Sequence, residues 1–349
     1  MLEAISTILE TAISERVFPG AVFGLVRPNG ETQLLARGRH GYEADAPETR
    51  EDHLFDLASI TKSIPNACLA LQLLEEGRLD PDQPLIRYLP EFNNVQREEV
   101  LIRHLLTYTL EGYGLAWYKD LPATEITKAI LHKDFSKPPG TTFRYTNVPA
   151  YLLGLVNQQL YGQPLDVLAD EHFFKPLGMA STTLHPERFP LETIVPTEVC
   201  DWRKRLVHGA VHDESAFAFK RDGVIVGHAG LFSSAPDLLI FLRMLLEGGQ
   251  LGGRRYFKKE TIALMHTNQI EDLGLSTGLG WELNQPQYMG RHAGPDTFGK
   301  TGFTGTVCVV DPKKQVAFAL LSNRIHPKRS VDSSAINKVR AAVADIVLA

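Results

Sequence analysis

The order of hydrophobic periodicities along the 349 residues constrains the fold more than any other feature of this sequence. Short apolar runs typical of strands stand near the start of the chain, at residues 21–26 and 32–36, and return near its end, at 306–310 and 316–322. Between them, apolar residues recur at helical spacing in segments that proline-rich joints separate. An antiparallel sheet built from both ends of the chain, with helices inserted between them, satisfies this order.

We therefore predict an α/β (α+β) fold in which an antiparallel sheet is flanked by helices and carries an inserted, mainly helical domain. The chain is longer than one compact core usually is, which also favours two units. Residues 1–56 and 228–349 are assigned to the sheet domain and residues 57–227 to the helical domain, with the active site expected in the cleft between them. Helices are predicted over 2–16, 64–76, 100–108, 123–131, 150–160, 165–174, 235–246 and 336–348, a further strand over 279–283, and a long surface loop over 195–227.

Composition and charge exclude several classes of function. The net charge is −5 and the basic residues are not clustered, so a nucleic-acid partner is not expected. No apolar run is long enough to span a membrane, and residues 1–15 carry three glutamates rather than the basic start of a signal peptide. The sequence thus predicts a cytoplasmic protein without a membrane partner, although a leader removed earlier would leave the same sequence. Cys68, Cys200 and Cys308 are too scattered for a disulfide framework and are expected to pack in the core.

The first motif with chemical content is Ser59-Ile60-Thr61-Lys62. On a helix, a serine and a lysine three residues apart lie on the same face. A serine hydroxyl is a poor nucleophile unless a base stands beside it, and a lysine with a lowered pKa can be that base. By itself the pair is more often a helix-capping serine with a solvated lysine.

Two further motifs follow in order. Tyr145-Thr146-Asn147 offers a phenol that can carry a proton and an amide that can hold a substrate carbonyl or position Lys62. Lys300-Thr301-Gly302 precedes a predicted strand, where Lys300 offers positive charge and Gly302 lets a substrate approach the backbone. Alone, the former is often a capping turn and the latter an ordinary turn.

These three motifs resemble those of class C β-lactamases, D-Ala-D-Ala carboxypeptidases and the related β-lactamase-fold esterases, within the superfamily of serine β-lactamases and penicillin-binding proteins. The flanking segments 57–62, 74–79, 86–92, 104–107, 227–233 and 321–324 are also similar to the family's sequences. The resemblance extends from about residue 19 to residue 323. Any one motif is weak, but three in order with matching flanks are specific.

The resemblance implies a role for each residue. Ser59 would be the acylated nucleophile, Lys62 and Tyr145 would share its proton, and Tyr145 would later activate the deacylating water. Asn147 and Lys300, with Thr301 and Gly302, would position the substrate. The backbone amides of Ser59 and Phe303 would form the oxyanion hole, each typically worth about 3 kcal/mol in the transition state. The family needs no metal or organic cofactor, and its partner is a small-molecule substrate: an ester, a β-lactam or a D-amino-acid amide.

The substrate is less well defined by the sequence. Family members often carry Thr-Ser-Gly after the segment 104–107, whereas this chain has Tyr108-Thr109-Leu110-Glu111-Gly112. A cytoplasmic location would favour small carboxylic esters or related amides over β-lactams and cell-wall peptides. Lys300, which many esterase relatives replace, instead favours a substrate that bears a carboxylate. Oligomeric state is left open.

Three other functions have partial support in the sequence. Residues 274–278 fit the G-x-S-x-G elbow of α/β-hydrolases around Ser276, but the required strand and helix are missing from the pattern on either side. His208, His212, Asp213 and Glu214 have metal-binding side chains without metal-binding spacing, so a loop lining the active site is the favoured interpretation. A penicillin-recognising sensor would keep the acylated serine and lack turnover.

Overall fold

A six-stranded antiparallel sheet organises the chain in the computed structural model, which describes residues 1–349. The strand order is β2-β1-β12-β11-β10-β9, so the first two strands join the last four through the β1–β12 pair. The strands of the sheet are β1 (Gly20–Val26), β2 (Thr32–Gly38), β9 (Glu282–Leu283), β10 (Phe298–Thr301), β11 (Val307–Asp311) and β12 (Val316–Ser322). Short two-stranded pairs are formed by β3 (Phe55–Asp56) with β6 (Phe232–Ser233), β4 (Val199–Cys200) with β5 (Arg205–Leu206), and β7 (Gln250–Leu251) with β8 (Arg254–Arg255).

Both faces of the sheet are covered. Successive side chains of β12 point to opposite faces, and every residue of the strand is buried. Phe318 and Leu320 belong to the core beneath the two terminal helices, whereas Ala317 and Ala319 belong to the larger core on the other face. A continuous apolar run is what a strand between two layers requires, which explains why residues 316–322 read as a strand without polar alternation.

Most of the helices lie between β2 and β9 in the sequence, and helices cover both faces of the sheet. The helices are α1 (Leu2–Ser14), α2 (Cys68–Glu75), α3 (Ile102–Leu106), α4 (Ala123–His132), α5 (Asn147–Tyr161), α6 (Leu165–Ala169), α7 (Lys175–Leu177), α8 (Glu214–Arg221), α9 (Ala235–Leu246), α10 (Lys259–His266), α11 (Pro286–Met289) and α12 (Ser334–Val347). α1 and α12 pack together on one face of the sheet, and α9 packs against β1 and β12. The predicted fold class is confirmed, while the domain boundaries at residues 56 and 227 stay a prediction.

Two predicted elements differ from the structure. The segment 195–227 was expected to be a surface loop, but this is wrong because it contains α8 and the β4–β5 pair. The helix has only eight residues and buries Ala218 and Phe219, so it contains too few apolar residues to show helical periodicity within its polar surroundings. The predicted helix over 64–76 is α-helical only from Cys68 to Glu75. Its first residues belong to a π turn (Ser63–Ala67) with non-helical backbone angles at Ile64, and a 3₁₀ turn (Ala58–Lys62) precedes it.

The three cysteines are free and buried, as the sequence predicts. None of the helices combines the length and apolar composition that a bilayer crossing requires.

Candidate active site

Ser59 and Lys62 meet in the 3₁₀ turn that follows β3. Lys62 Nζ donates to Ser59 Oγ at 2.9 Å and to the carbonyl oxygen of His228 at 2.8 Å. The lysine is 1% exposed, and burial lowers its pKa, an effect that the charge of Lys300 reinforces and that Tyr145 and Asp213 oppose. An amine that is easily made neutral therefore stands within hydrogen-bonding distance of the serine hydroxyl.

The backbone entering this turn is held in an uncommon conformation. Ala58 has a φ of +46°, in the left-handed region that costs a non-glycine residue about 1–2 kcal/mol. The buried carboxylate of Asp56 accepts from the Ala58 amide at 2.8 Å and from the His212 amide at 2.7 Å. Asp56 therefore stabilises the conformation that presents Ser59 at the start of the turn.

Tyr145 lies between the two lysines. Lys62 Nζ is 5.3 Å and Lys300 Nζ 4.3 Å from the centroid of the Tyr145 ring. Tyr108, in the segment that departs from the family pattern, places its ring 4.9 Å from that of Tyr145 and 4.6 Å from Lys300 Nζ. Ser59 and Tyr145 line one cavity of about 240 Å³, together with Thr301, Gly302 and Phe303.

Lys300 is not a free cation. Its Nζ is fully buried and lies 2.7 Å from Glu282 Oε1, and Glu282 Oε2 accepts from the Tyr288 hydroxyl at 2.7 Å. Burial alone would lower the pKa of Lys300, but the Glu282 carboxylate together with the phenols of Tyr108 and Tyr145 outweighs burial and raises that pKa. The protein therefore supplies a carboxylate partner for Lys300 itself, and the role of this lysine towards a substrate carboxylate stays a prediction.

Side-chain hydrogen bonds connect the loop after β10 to Asp56 and Leu57, which precede Ser59. Thr304 Oγ1 donates to the Asp56 carbonyl at 2.6 Å, and Thr306 Oγ1 to the Leu57 carbonyl at 3.2 Å. From behind, the buried Arg340 of α12 donates to the carbonyls of Gly302 and Thr306, each at 2.8 Å. These bonds fix the Phe303 segment relative to Ser59, which two cooperating backbone amides would require.

Asn147 is turned towards a residue that the sequence did not single out for catalysis. Its Nδ2 donates to Asp213 Oδ2 at 3.1 Å, while Asp213 Oδ1 accepts from Ser215 Oγ and from the Ala216 amide at the start of α8. Ser215 Oγ also contacts His228 Nε2 at 2.9 Å. Asp213 thus connects Asn147, through Ser215, to His228, whose carbonyl oxygen accepts a hydrogen bond from Lys62.

The remaining members of the cluster around Asp213 have other partners. His212 Nε2 lies 3.3 Å from Glu198, and its ring stacks on Phe303 at 5.9 Å between centroids. Glu198 and Glu214 both pair with Arg329, and His208 contacts the carbonyl of Ile194. His208, His212, Asp213 and Glu214 therefore have different partners. His212, which stacks on Phe303, and Asp213, which accepts from Asn147, lie beside the active site.

Ser276 lies in a loop with no strand directly before it and no helix directly after it. It lines a second cavity with Leu275 and Gln285, and this cavity shares Tyr145, Glu282 and Gln287 with the cavity of Ser59. A hydroxyl without a neighbouring base has no means of activation.

Five residues of the site received no individual role in the sequence interpretation: Asp56, Tyr108, Asp213, Glu282 and Arg340. Asp56 had a local signal, since an aspartate two residues before a turn commonly caps its backbone. Tyr108 stood in the segment recognised as a departure. The other three act through partners that only the tertiary structure brings close.

A hydroxyl beside an amine of lowered pKa, with a phenol flanked by lysines, is suited to nucleophilic acyl transfer. With the antiparallel sheet, this site defines a serine hydrolase of the β-lactamase and penicillin-binding protein superfamily. The sequence model of the Beta-lactamase family matches residues 5–342, so the chain belongs to that family.

Two relatives illustrate its range. The chain is 31% identical over 305 residues to a candidate D-alanyl-D-alanine carboxypeptidase of Escherichia coli K12, which covers 78% of this chain and 69% of that protein. It is 29% identical over 352 residues to an N-acetylmuramyl-L-alanine amidase of Bacillus subtilis 168, covering 88% of this chain and 78% of the relative.

Solved structures share the fold at lower identity. A simvastatin synthase (LovD6 mutant) from Aspergillus terreus superposes with a TM-score of 0.76 at 20% identity, covering 99% of this chain and 97% of the other. EstCE1, a hydrolase with promiscuous acyltransferase activity, gives 0.75 at 20% identity, with 98% of both chains covered. The octameric penicillin-binding protein homologue of Pyrococcus abyssi gives 0.76 at 22% identity, covering 99% of this chain and 77% of that one.

Proposed function

We propose that this protein hydrolyses small carboxylic esters or related amides through an acyl-enzyme on Ser59. The observation that carries the proposal is the 2.9 Å contact between Ser59 Oγ and Lys62 Nζ, made by a lysine whose pKa burial lowers. In its neutral form the amine accepts the serine proton as the hydroxyl oxygen attacks the substrate carbonyl. Tyr145, placed between Lys62 and Lys300, passes a proton to the leaving group and later takes one from the attacking water. Lys62 returns the serine proton to Ser59 Oγ as the acyl–oxygen bond breaks, which restores both groups.

The oxyanion of the tetrahedral intermediate is assigned to the amides of Ser59 and Phe303. Both residues line the same cavity, and neither amide makes any of the loop and turn hydrogen bonds of this region. Electrostatic stabilisation of this kind requires donors held in place before the reaction. The bonds from Thr304 and Thr306 to the Ser59 approach supply that support.

Amides of amino acids are a second candidate substrate class, within the same mechanism. The two curated relatives, at 31% and 29% identity, are named for the cleavage of D-alanyl and muramyl-L-alanine amide bonds. An amide needs protonation of its leaving nitrogen more than an ester does, and a phenol placed between two lysines suits that step. A β-lactam, which is also an amide, would acylate the same serine.

The proposal is tested with p-nitrophenyl acetate, nitrocefin and a D-alanyl-D-alanine peptide, each assayed for turnover and for a covalent adduct by intact mass spectrometry. We expect an adduct on Ser59 and its loss in Ser59→Ala. Ser276→Ala is the matched control, because it removes a hydroxyl from the neighbouring cavity and should leave turnover unchanged.

Other outcomes would revise the proposal. Loss of turnover in Ser276→Ala with retention in Ser59→Ala would transfer the nucleophile to Ser276. An initial burst of adduct without further turnover would favour a sensor. If no substrate of the panel is turned over or forms an adduct, hydrolysis of these classes is rejected.

A further inference from the structure

A second cavity adjoins the active site and is lined by unpaired cations. Its volume is about 290 Å³, and its lining includes Arg16, Arg324, Lys328, His326 and Asp332. Arg324 lines both cavities, and its guanidinium lies 4.7 Å from the centre of the Phe303 ring. The basic cavity therefore shares a wall with the active-site cavity at Arg324.

The charges of the lining are strongly biased towards cations, although the chain as a whole is acidic. Arg16, Arg324 and Lys328 are the three cations of the lining, and none of them lies within ion-pairing distance of a carboxylate. Many other arginines of the protein do form such pairs. The one acidic residue of the lining is Asp332, and both of its carboxylate oxygens accept from Ser334. Asp332 offsets part of the charge of Arg324, but three cations against one carboxylate leave the lining with a net positive charge.

Several donors are already held in place. Arg324 is fixed by bonds from Nε to the Phe303 carbonyl and from Nη1 to the carbonyls of Ser330 and Asp332. The guanidinium of Arg16 rests on the Tyr42 ring, 4.1 Å from its centroid. Guanidinium groups held in this way are suited to planar anions, since little side-chain freedom remains to be lost on binding.

His326 provides a second, independent sign of a ligand. Its side chain is more than nine-tenths buried, and neither ring nitrogen makes a hydrogen bond of ordinary geometry, with at most a weak contact to the Thr197 backbone. Glu43 stands nearby without lining the cavity. Buried polar atoms are normally satisfied, so the unpartnered imidazole points to a partner that the chain itself does not supply, a water or a ligand.

We propose that this cavity binds an anionic group, a carboxylate or a phosphate, carried by the substrate at a distance from the scissile bond. The inference rests on the proposed function, because it assigns the substrate class of the same site. It also fits the state of Lys300, which is already paired with Glu282 and leaves recognition of a substrate anion to other residues.

The kinetic test uses two pairs of esters. Mono-p-nitrophenyl glutarate is compared with p-nitrophenyl butyrate, and 3-acetoxybenzoate with phenyl acetate, so that the carboxylate stands on the acyl side or on the leaving-group side. We expect kcat/KM to favour the carboxylate member of at least one pair, and the double variant Arg16→Gln/Lys328→Gln to lose about tenfold of that preference. Its kcat/KM for the neutral members should change much less than its kcat/KM for the carboxylate members. The matched control is Lys313→Gln, which removes an exposed cation outside the cavity.

The binding test is independent of turnover. In Ser59→Ala, glutarate or inorganic phosphate should raise the midpoint of thermal unfolding, and the added Arg16→Gln/Lys328→Gln changes should abolish the rise. Glutarate acting alone would identify a carboxylate site, and phosphate acting alone a phosphate site. Equal shifts with and without the two cations, or a carboxylate preference that the double variant keeps, would overturn the proposal. Absence of any turnover alongside cation-dependent shifts would reject the proposed reaction and retain the anion site.

Discussion

The fully buried Lys300 forms an ion pair with Glu282, with 2.7 Å between ammonium and carboxylate, and Glu282 lines the cavity that contains Ser59. The pair fixes the lysine beside Tyr145 and offsets its charge at the same time. A buried lysine without this partner would carry a large desolvation penalty. The ion pair keeps Lys300 protonated beside the Tyr145 phenol, while Glu282 balances its positive charge.

The first prediction concerns this pair. Glu282→Gln should keep a hydrogen-bond acceptor for the Tyr288 hydroxyl and remove the negative charge from Lys300. We expect KM for carboxylate-bearing esters to fall relative to that for neutral esters, because the ammonium is no longer neutralised. Steady-state kinetics on the two ester pairs measure the ratio. An unchanged ratio would show that Lys300 does not act on the substrate's charge.

The second prediction concerns the base. Lys62→Met keeps the buried aliphatic chain and removes the amine, so kcat should fall at least about 10²-fold, and Lys62→Arg should be equally impaired because a guanidinium stays protonated. Burial lowers the pKa of Lys62, so wild-type kcat/KM should rise with pH as the amine loses its proton. A pH–rate profile with p-nitrophenyl acetate tests the direction. Near-normal turnover in either variant would contradict the proton-transfer scheme.

The third prediction concerns Asp213. Asp213→Asn retains a good N-cap for α8, so the fold should be kept, but the negative charge that raises the pKa of Lys62 is lost. The acidic limb of the kcat/KM profile should therefore move to lower pH, and weaker hold on Asn147 should cost up to about tenfold in kcat/KM. Ser215→Ala, which keeps the charge, is the control. A profile that does not move would limit Asp213 to a structural role.

Much of the site could be predicted because its chemistry is written in short motifs. Ser59 and Lys62 are one turn apart, so their contact follows from local geometry alone. Glu282 is 18 residues from Lys300 and Asp213 is 66 residues from Asn147, and only the folded sheet and helices bring these pairs together. An isolated glutamate or aspartate gives no sign of such a partner.

The fold shows the same distinction between elements that local sequence predicts and elements that depend on tertiary contacts. β12 was predicted at its observed bounds because a strand buried on both faces is a long unbroken apolar run. α8 was missed because its eight residues present few apolar positions, and its packing is decided by α5 and the residues beneath it, as in the stacking of Phe219 on Tyr151. Tertiary contacts, rather than local periodicity, determine such a segment.

The last prediction concerns the backbone beside the nucleophile. A Cβ added to Gly302 would collide with Thr306 Oγ1 and with the Leu57 carbonyl oxygen, neither of which is the free end of a flexible side chain. Gly302→Ala should therefore displace the Phe303 amide from Ser59, lowering kcat by about 10² or more, the cost of a lost oxyanion donor. Overpacking should also destabilise the fold by about 1–3 kcal/mol. Gly294→Ala is the matched control, because the nearest atom to its Cβ is 4.0 Å away. Kinetics together with denaturant unfolding separate the two effects. Since acylation by a β-lactam requires the same donor, the nitrocefin adduct should form more slowly in Gly302→Ala, and an unchanged acylation rate would remove the Phe303 amide from the mechanism.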